Sequence, residues 1–280
     1  MTALLPDPQP VRPTKTSVAT LRPPPRSVAL GRLHAHAVTF DESIDRIVER
    51  VREGQGGYVV TPNVDHVCLA EHDVELRTVY RNSFLAVPDG MPLLWIASAL
   101  GTPLSAKVSG SDLLLPLMRR AAAEGLTVFF LGATDATCTA AARRLSSLSP
   151  NLRVAGWASP LFDALGDPTE LEDALGKVRA ARPDLLLIAM GSPKQEYVLW
   201  RYLSTYAPAV GVGVGASLDF LAGTVRRAPT WMSEHGLEWL YRLWQEPARL
   251  WHRYLVRDRA IVGIVWRMRR DARRRRATTR

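Results

Sequence analysis

The chain of 280 residues is 47% hydrophobic and 22% charged, a globular composition that excludes a wholly disordered or collagen-like molecule and allows one large or two smaller domains. Its two cysteines, Cys68 and Cys138, stand far apart with no partner at metal spacing, which excludes disulfide scaffolds and zinc modules and points to a reducing, cytoplasmic setting. The formal net charge of +9 belongs to the ends: residues 241–280 hold thirteen arginines against Glu246, Asp258 and Asp271, while the middle of the chain is mildly acidic.

Seven prolines fall within the first 25 residues, so residues 1–27 are expected to form a disordered leader. From Val28 short apolar runs alternate with amphipathic segments. Ile44, Ile47, Val48 and Val51 recur at helical spacing after Asp41, and Gly57 to Val60 reads as a strand ending in a polar turn. Further strands are predicted at 84–87, 127–131, 152–155, 184–189 and 209–214, with helices over 113–123, 136–148, 169–180 and 194–203. This alternation predicts an α/β core over residues 28–230, a single Rossmann-like parallel sheet with helices on both faces and ligands at the carboxyl ends of its strands.

After Pro229 the strand pattern stops. Leu237, Leu240, Tyr241 and Trp244 form one helical stripe, and Leu250, Trp251, Tyr254 and Leu255 another beyond Pro247, predicting a helical C-terminal appendage over 231–266. The arginine run from Arg267 to Arg276 is expected to be a basic disordered tail spanning 267–280. Five of the eight tryptophans also lie in the last 50 residues. Beside arginines, such rings either pack the appendage onto the body or contact a membrane surface, and both readings stand. No apolar run approaches the roughly 18 residues of a spanning helix. Nucleic acid is not favoured as a partner, since the body is acidic and shows no recognition motif.

Five strand-end loops gather residues with chemical potential. The first, Thr61-Pro-Asn-Val-Asp65-His66, offers Thr61 and Asn63 for hydrogen bonding, while Asp65 reads equally as a helix cap. In the second, Val87-Pro-Asp89-Gly90, a carboxylate follows an apolar strand and suits proton abstraction from a sugar hydroxyl; Pro-Asp-Gly is also a common turn, and spacing alone favours the turn. The third, Leu131-Gly132-Ala-Thr134, opens a helix whose N-terminus suits a phosphate. The fourth, Gly191-Ser-Pro-Lys194-Gln195-Glu196, sets three long polar side chains at a helix start, where sugar binding, capping and surface pairing are all open. The fifth, Gly211-Val-Gly213-Val-Gly215-Ala216-Ser-Leu-Asp219, satisfies a dinucleotide-type glycine pattern, but the acid expected about 20 residues on falls in a helical region. A nicotinamide-dependent oxidoreductase is therefore the weaker alternative, and a nucleic-acid-binding protein acting through its basic tail is another. Asp-x-Asp, the paired acids by which many sugar-nucleotide enzymes hold a divalent ion, is absent from the sequence. Arg226, Arg227, Arg242, Arg249 or Arg253 would then meet a diphosphate.

The order and wording of these segments go further. Thr61–His66, Pro88–Pro92, Val108–Asp112, Gly191–Glu196, Gly213–Pro229 and Gly236–Leu243 together resemble the WecG/TagA/CpsF family of bacterial glycosyltransferases, over about residues 30–260. The resemblance implies a metal-independent, inverting hexosyltransferase without an organic cofactor. It would move an N-acetylmannosamine-type or other hexose from a UDP-sugar to a sugar on polyprenyl (undecaprenyl) diphosphate, for cell-wall or other surface polysaccharide. It implies Asp89 as general base, which reverses the turn preference, with Thr61 and Gln195 beside it in the catalytic set. With Thr61 and Gln195, Asn63 would line the donor pocket and Asp219 would lie near the nucleoside; Gly132, Lys194, Gly213 and Gly215, read from their own loops, are further candidates for binding the donor. Arg242, Arg249 and Arg253, on an appendage that closes over the site and touches the inner membrane face, would meet the diphosphate. Homo-oligomerisation stays open, and the leader and the arginine run have no expected counterpart.

Overall fold

A computed structural model describes residues 22–160 and 168–278. Two short strands, β1 (Ser27–Leu30) and β2 (Leu33–His36), pair antiparallel as a hairpin. The main sheet then takes β3 (Gly57–Val60), β4 (Leu85–Ala86), β5 (Thr127–Gly132), β6 (Arg153–Ala158), β7 (Leu185–Ala189) and β8 (Val210–Gly213). All neighbours run parallel, in the order β4-β3-β8-β7-β5-β6. The last strand to be reached along the chain thus lies in the middle, between β3 and β7.

Both faces of the sheet are covered, which is why its strands read as continuous apolar runs: all five residues of β7 are buried. Successive side chains still divide between two cores, as strand geometry requires. Phe129, Leu131, Leu186 and Ile188 enter one, with the hairpin, α2 (Val64–Leu69), α3 (Val74–Asn82), α4 (Met91–Ala99), α7 (Pro168–Ala181), α8 (Lys194–Arg201) and α9 (Leu203–Tyr206). Val128, Phe130, Leu185 and Leu187 enter the other, with α1 (Phe40–Arg52), α5 (Gly110–Ala123), α6 (Asp135–Leu148) and α10 (Ser217–Ala222). Helix starts follow side-chain caps: Thr39, Asn63, Asp73, Ser109 and Thr134 each accept a backbone N–H three residues on.

Beyond the sheet come α11 (Thr230–Glu234), α12 (Glu238–Gln245), α13 (Pro247–Trp251), a π-helical stretch His252–Arg257, a 3₁₀ turn Asp258–Ala260 and α14 (Ile261–Thr278). Among the described residues no helix is long and apolar enough to cross a membrane.

The α/β fold agrees with the sequence pattern, and three expectations change. The β1–β2 hairpin was not anticipated. Residues 22–27, expected in a disordered leader, lie against the body: Arg22 reaches Glu49 at 3.2 Å, Arg46 donates to the Pro23 carbonyl at 3.1 Å, and Arg26 bonds the Pro103 carbonyl. The rest of the leader, residues 1–21, falls outside the described residues, as do 279 and 280. The arginine run from Arg267, expected to be disordered, continues α14 to Thr278. That helix is anchored by Ile264, which is buried in the core beside the hairpin, by Met268 Sδ accepting from Gly31 N–H at 3.1 Å, and by Arg267 on Glu71 at 2.6 Å.

Candidate active site

The carboxyl ends of β3 and β4 and the C-terminal helices enclose a cleft of about 340 Å³. Asp89 faces it directly after β4. The Asp89 N–H donates to the Pro62 carbonyl at 2.7 Å and the Val108 N–H to the Pro88 carbonyl at 2.8 Å, so three loops are stitched together around the acid. Gly90 follows at φ +99°, a conformation that suits glycine and turns the chain into α4. The Asp89 carboxyl is pushed up to about 6, chiefly by removal from water and then by the nearby Glu238 carboxylate, against the pull of Arg242 and Lys107. An acid tuned close to neutrality is suited to take a proton at physiological pH.

The opposite wall comes from the C-terminal helices. Lys107 Nζ donates to Ser233 Oγ at 2.8 Å and lies 3.0 Å from Asp112; Ser233 Oγ in turn donates to Glu238 Oε2 at 3.0 Å. Arg242 stands 3.7 Å from Glu238 and stacks its guanidinium over Phe220 at 5.1 Å. Burial opposes ionisation of Asp112, but hydrogen bonds from Ser109 and Arg227 and the Lys107 charge outweigh it and hold the carboxyl below its ordinary range.

At the other end Asp65 is buried between two arginines, 3.1 Å from Arg253 Nε and 2.5 Å from Arg257 Nε. Asn63, not Asp65, caps α2: its Oδ1 accepts the His66 N–H at 3.2 Å. The even reading of Asp65 as a cap is thereby corrected, and its carboxylate is left to hold the C-terminal helices. Asn63, Asp89, Arg242 and Arg253 all line the cleft.

A second polar group lies behind the loops. Gln195, 3% exposed, accepts the Gly215 N–H at 2.9 Å and donates to Glu196 Oε1 at 2.8 Å, so both ends of its amide are used within the protein. Glu196 is fully buried 3.9 Å from His66. His66 also contacts the Tyr80 hydroxyl at 2.9 Å and Ser192 Oγ, and burial holds its imidazole below the usual range. Thr61 is buried at the end of β3. The catalytic trio of the sequence reading is therefore divided: Asp89 faces the cleft, whereas Thr61 and Gln195 are not among the residues lining it.

The glycine-rich strand has a packing explanation. A Cβ on Gly211 would lie 2.5 Å from Leu199 and one on Gly213 3.1 Å from Gln195, so these positions let α8 approach β8 closely. Gly132, at φ +88°, would bring a Cβ within 2.7 Å of the Ala189 carbonyl oxygen. It opens onto α6, where Thr137 donates to Asp219 at 3.2 Å, so Gly132 and Asp219 belong to one neighbourhood. Along the same sheet edge, Gly132 ends β5, four strands from β4, while Asp219 follows β8, two strands from β4. Lys194 begins α8 outside the cleft lining, and the side chain of Arg249 lies outside the described ones.

Lys107, Ser233, Glu238 and Arg257 were not singled out from sequence, and the pairing of Asp65 with Arg253 and Arg257 was not anticipated. Lys107 directly precedes one of the recognised segments and Glu238 lies inside another, but nothing local marks either as facing Asp89.

The strand ends of a parallel α/β sheet thus carry a cleft that sets a half-buried acid beside cationic side chains. The model of the glycosyl transferase WecG/TagA/CpsF family matches residues 28–275, and the chain belongs to that family. It is similar to a Bacillus spizizenii protein (strain ATCC 23059 / NRRL B-14472 / W23), 30% identical over 76% of this chain and 80% of the relative. A Bacillus subtilis (strain 168) protein is also 30% identical, over 71% of this chain and 75% of the relative. Both relatives are named N-acetylglucosaminyldiphosphoundecaprenol N-acetyl-beta-D-mannosaminyltransferase.

Proposed function

We propose that this glycosyltransferase moves an N-acetylmannosamine-type residue from a UDP-sugar to a sugar carried on polyprenyl diphosphate, as a step in surface polysaccharide synthesis. The names of the relatives support the acceptor and the sugar type. The observation that carries the reading is Asp89, a carboxyl in the cleft pushed up to about 6 and set opposite Arg242.

In this reading Asp89 takes the proton of the acceptor hydroxyl as its oxygen bonds to the anomeric carbon. The bond from that carbon to the nucleotide breaks on the opposite face, the electron pair leaves with the diphosphate, and the anomeric centre inverts. Arg242 and Arg253 line the cleft and supply fixed positive charge to the leaving group, the role that sequence lacking Asp-x-Asp leaves to arginine rather than to a bound cation. Gln195 acts by shaping the Gly215 loop, and Gly132 and Asp219 form the nucleoside end farther along the strand-end edge. The exposed rings of Trp231, Trp244, Trp251 and Trp266, with the arginines of α14, fit a peripheral contact with the inner membrane face, where such an acceptor is held.

Asp89→Asn is expected to lower turnover by roughly 10² or more with donor affinity nearly unchanged. The assay is transfer from a panel of UDP-sugars to a short-chain polyprenyl diphosphate N-acetylglucosamine, with product detected by mass. Full turnover in that variant would sink the assignment of the base.

A further inference from the structure

Of the carboxylates in the cleft that the proposed reaction does not use, Glu238 bears most directly on Asp89. Glu238 stands in the first turn of α12, about 150 residues from Asp89 in sequence, and lines the same cleft. Its position is fixed from two sides. Ser233 Oγ donates to Oε2 at 3.0 Å, and Arg242 Nε lies 3.7 Å from Oε1. Ser233 is itself held by Lys107 of the core at 2.8 Å, and Lys107 by Asp112 at 3.0 Å. A continuous polar chain therefore runs from the first turn of α5 through Lys107 and Ser233 to Glu238. It crosses from the sheet domain to the C-terminal helices.

We propose that Glu238 is a positioning residue for the transfer: seated by the Lys107–Ser233 chain, it presents a negative charge to Asp89 and couples the protonation of that base to docking of the C-terminal helices. The inference rests on the reading of Asp89 as the base. Like charges sharing a site oppose each other's ionisation, so a seated Glu238 makes Asp89 a better proton acceptor than it is with the helices away. The other groups facing Asp89 act around this pair. Arg242 of α12 and Lys107 pull its proton affinity down, and Asp112 of α5 adds to the upward push. Tyr80 of α3 feels the Asp89 charge from the buried side. Asp65 and Arg253, which pair with each other, and Asp258 and Arg259 complete the charged lining of the cleft.

The test compares kcat/KM between about pH 4.5 and 9 for the unaltered protein, Glu238→Gln and Ser233→Ala, with UDP-N-acetylmannosamine and a short-chain polyprenyl diphosphate N-acetylglucosamine. Glu238→Gln keeps the shape and the acceptor for Ser233, and is expected to move the acidic limb to lower pH by about half a unit or more. Ser233→Ala releases Glu238 from its chain and is expected to move the limb the same way by less. An unmoved limb in both variants, or an equal loss of rate at every pH, overturns the assignment. Asp89→Asn separates the two levels: full turnover there removes the base itself, whereas lost turnover there with an unmoved limb in Glu238→Gln removes only the role of Glu238.

Discussion

Asp65 and Asp258 share a buried corner with Arg253 and Arg257, and the four groups do not balance evenly. Arg253 and Arg257 both pair with Asp65, while Asp258 is pushed up to about 7 by removal from water, with Asp65 adding to the push and the two arginines opposing it. In the unfolded chain the same carboxyl ionises near 4. Raising the pH from about 4 to about 7 therefore disfavours the folded state at this residue, and the penalty levels off above 7. Asp258→Asn cannot ionise and escapes it. Its stability relative to the unaltered protein is expected to grow across that window and then stay constant, as read by thermal unfolding at pH 5, 6, 7 and 8; an offset that is the same at every pH would contradict this. The sequence showed little of this corner. Asn63 and Asp65 are both good caps, and only the start of α2 at Val64 assigns the cap to Asn63 and frees Asp65 for distant arginines. The place of Asp89 was legible because an acid directly after an apolar strand is set at the strand-end edge by topology, whereas its part as a base came from the family resemblance against a spacing that favoured a turn.

At the level of elements, α8 is pressed closely onto β8. Gly211→Ala would set a methyl 2.5 Å from Leu199 and 2.9 Å from the Tyr206 hydroxyl, and moving α8 away would disturb Gln195 and the Gly215 loop it holds. A loss of about 1–3 kcal/mol is expected in denaturant unfolding. Gly176, inside α7 with nothing within 4 Å of its missing Cβ, is the contrast: Gly176→Ala is expected to gain about 0.5–1 kcal/mol. If both substitutions destabilise alike, the packing account of the glycine-rich strand is wrong. The same glycines explain why sequence offered a dinucleotide pattern here: a helix pressed on a strand and a pyrophosphate pressed on a backbone both require a missing side chain. Alternating strands and helices were legible because their periods, 2 and 3.6, differ over short windows. The β1–β2 hairpin was not, since two four-residue strands next to a proline-rich stretch leave too short a pattern to separate from a loop.

Across the whole molecule, the C-terminal helices are fastened at several places, among them the Lys107–Ser233 chain, the Asp65 corner, Arg242 over Phe220, and α14 against the hairpin. Ile261, Ile264 and Met268 recur at helical spacing and pack on the core, a signal hidden in the sequence by the surrounding arginines. Removing residues 261–280 takes away that packing along with Ile261 from the cleft wall. A melting temperature lower by roughly 5 °C or more is expected, together with reduced transfer. Unchanged melting would show that α14 is not part of the folded unit.

The order of the sheet has one more outcome, set by time. About 150 residues separate β3 from β8, and at the usual pace of translation the ribosome needs roughly 8–30 s to cover them. Until β8 is made, β3 has no neighbour on one side, and once β7 has been made it too waits for β8 on its open edge. A message cut short before codon 210 would encode a product with no strand to close the gap.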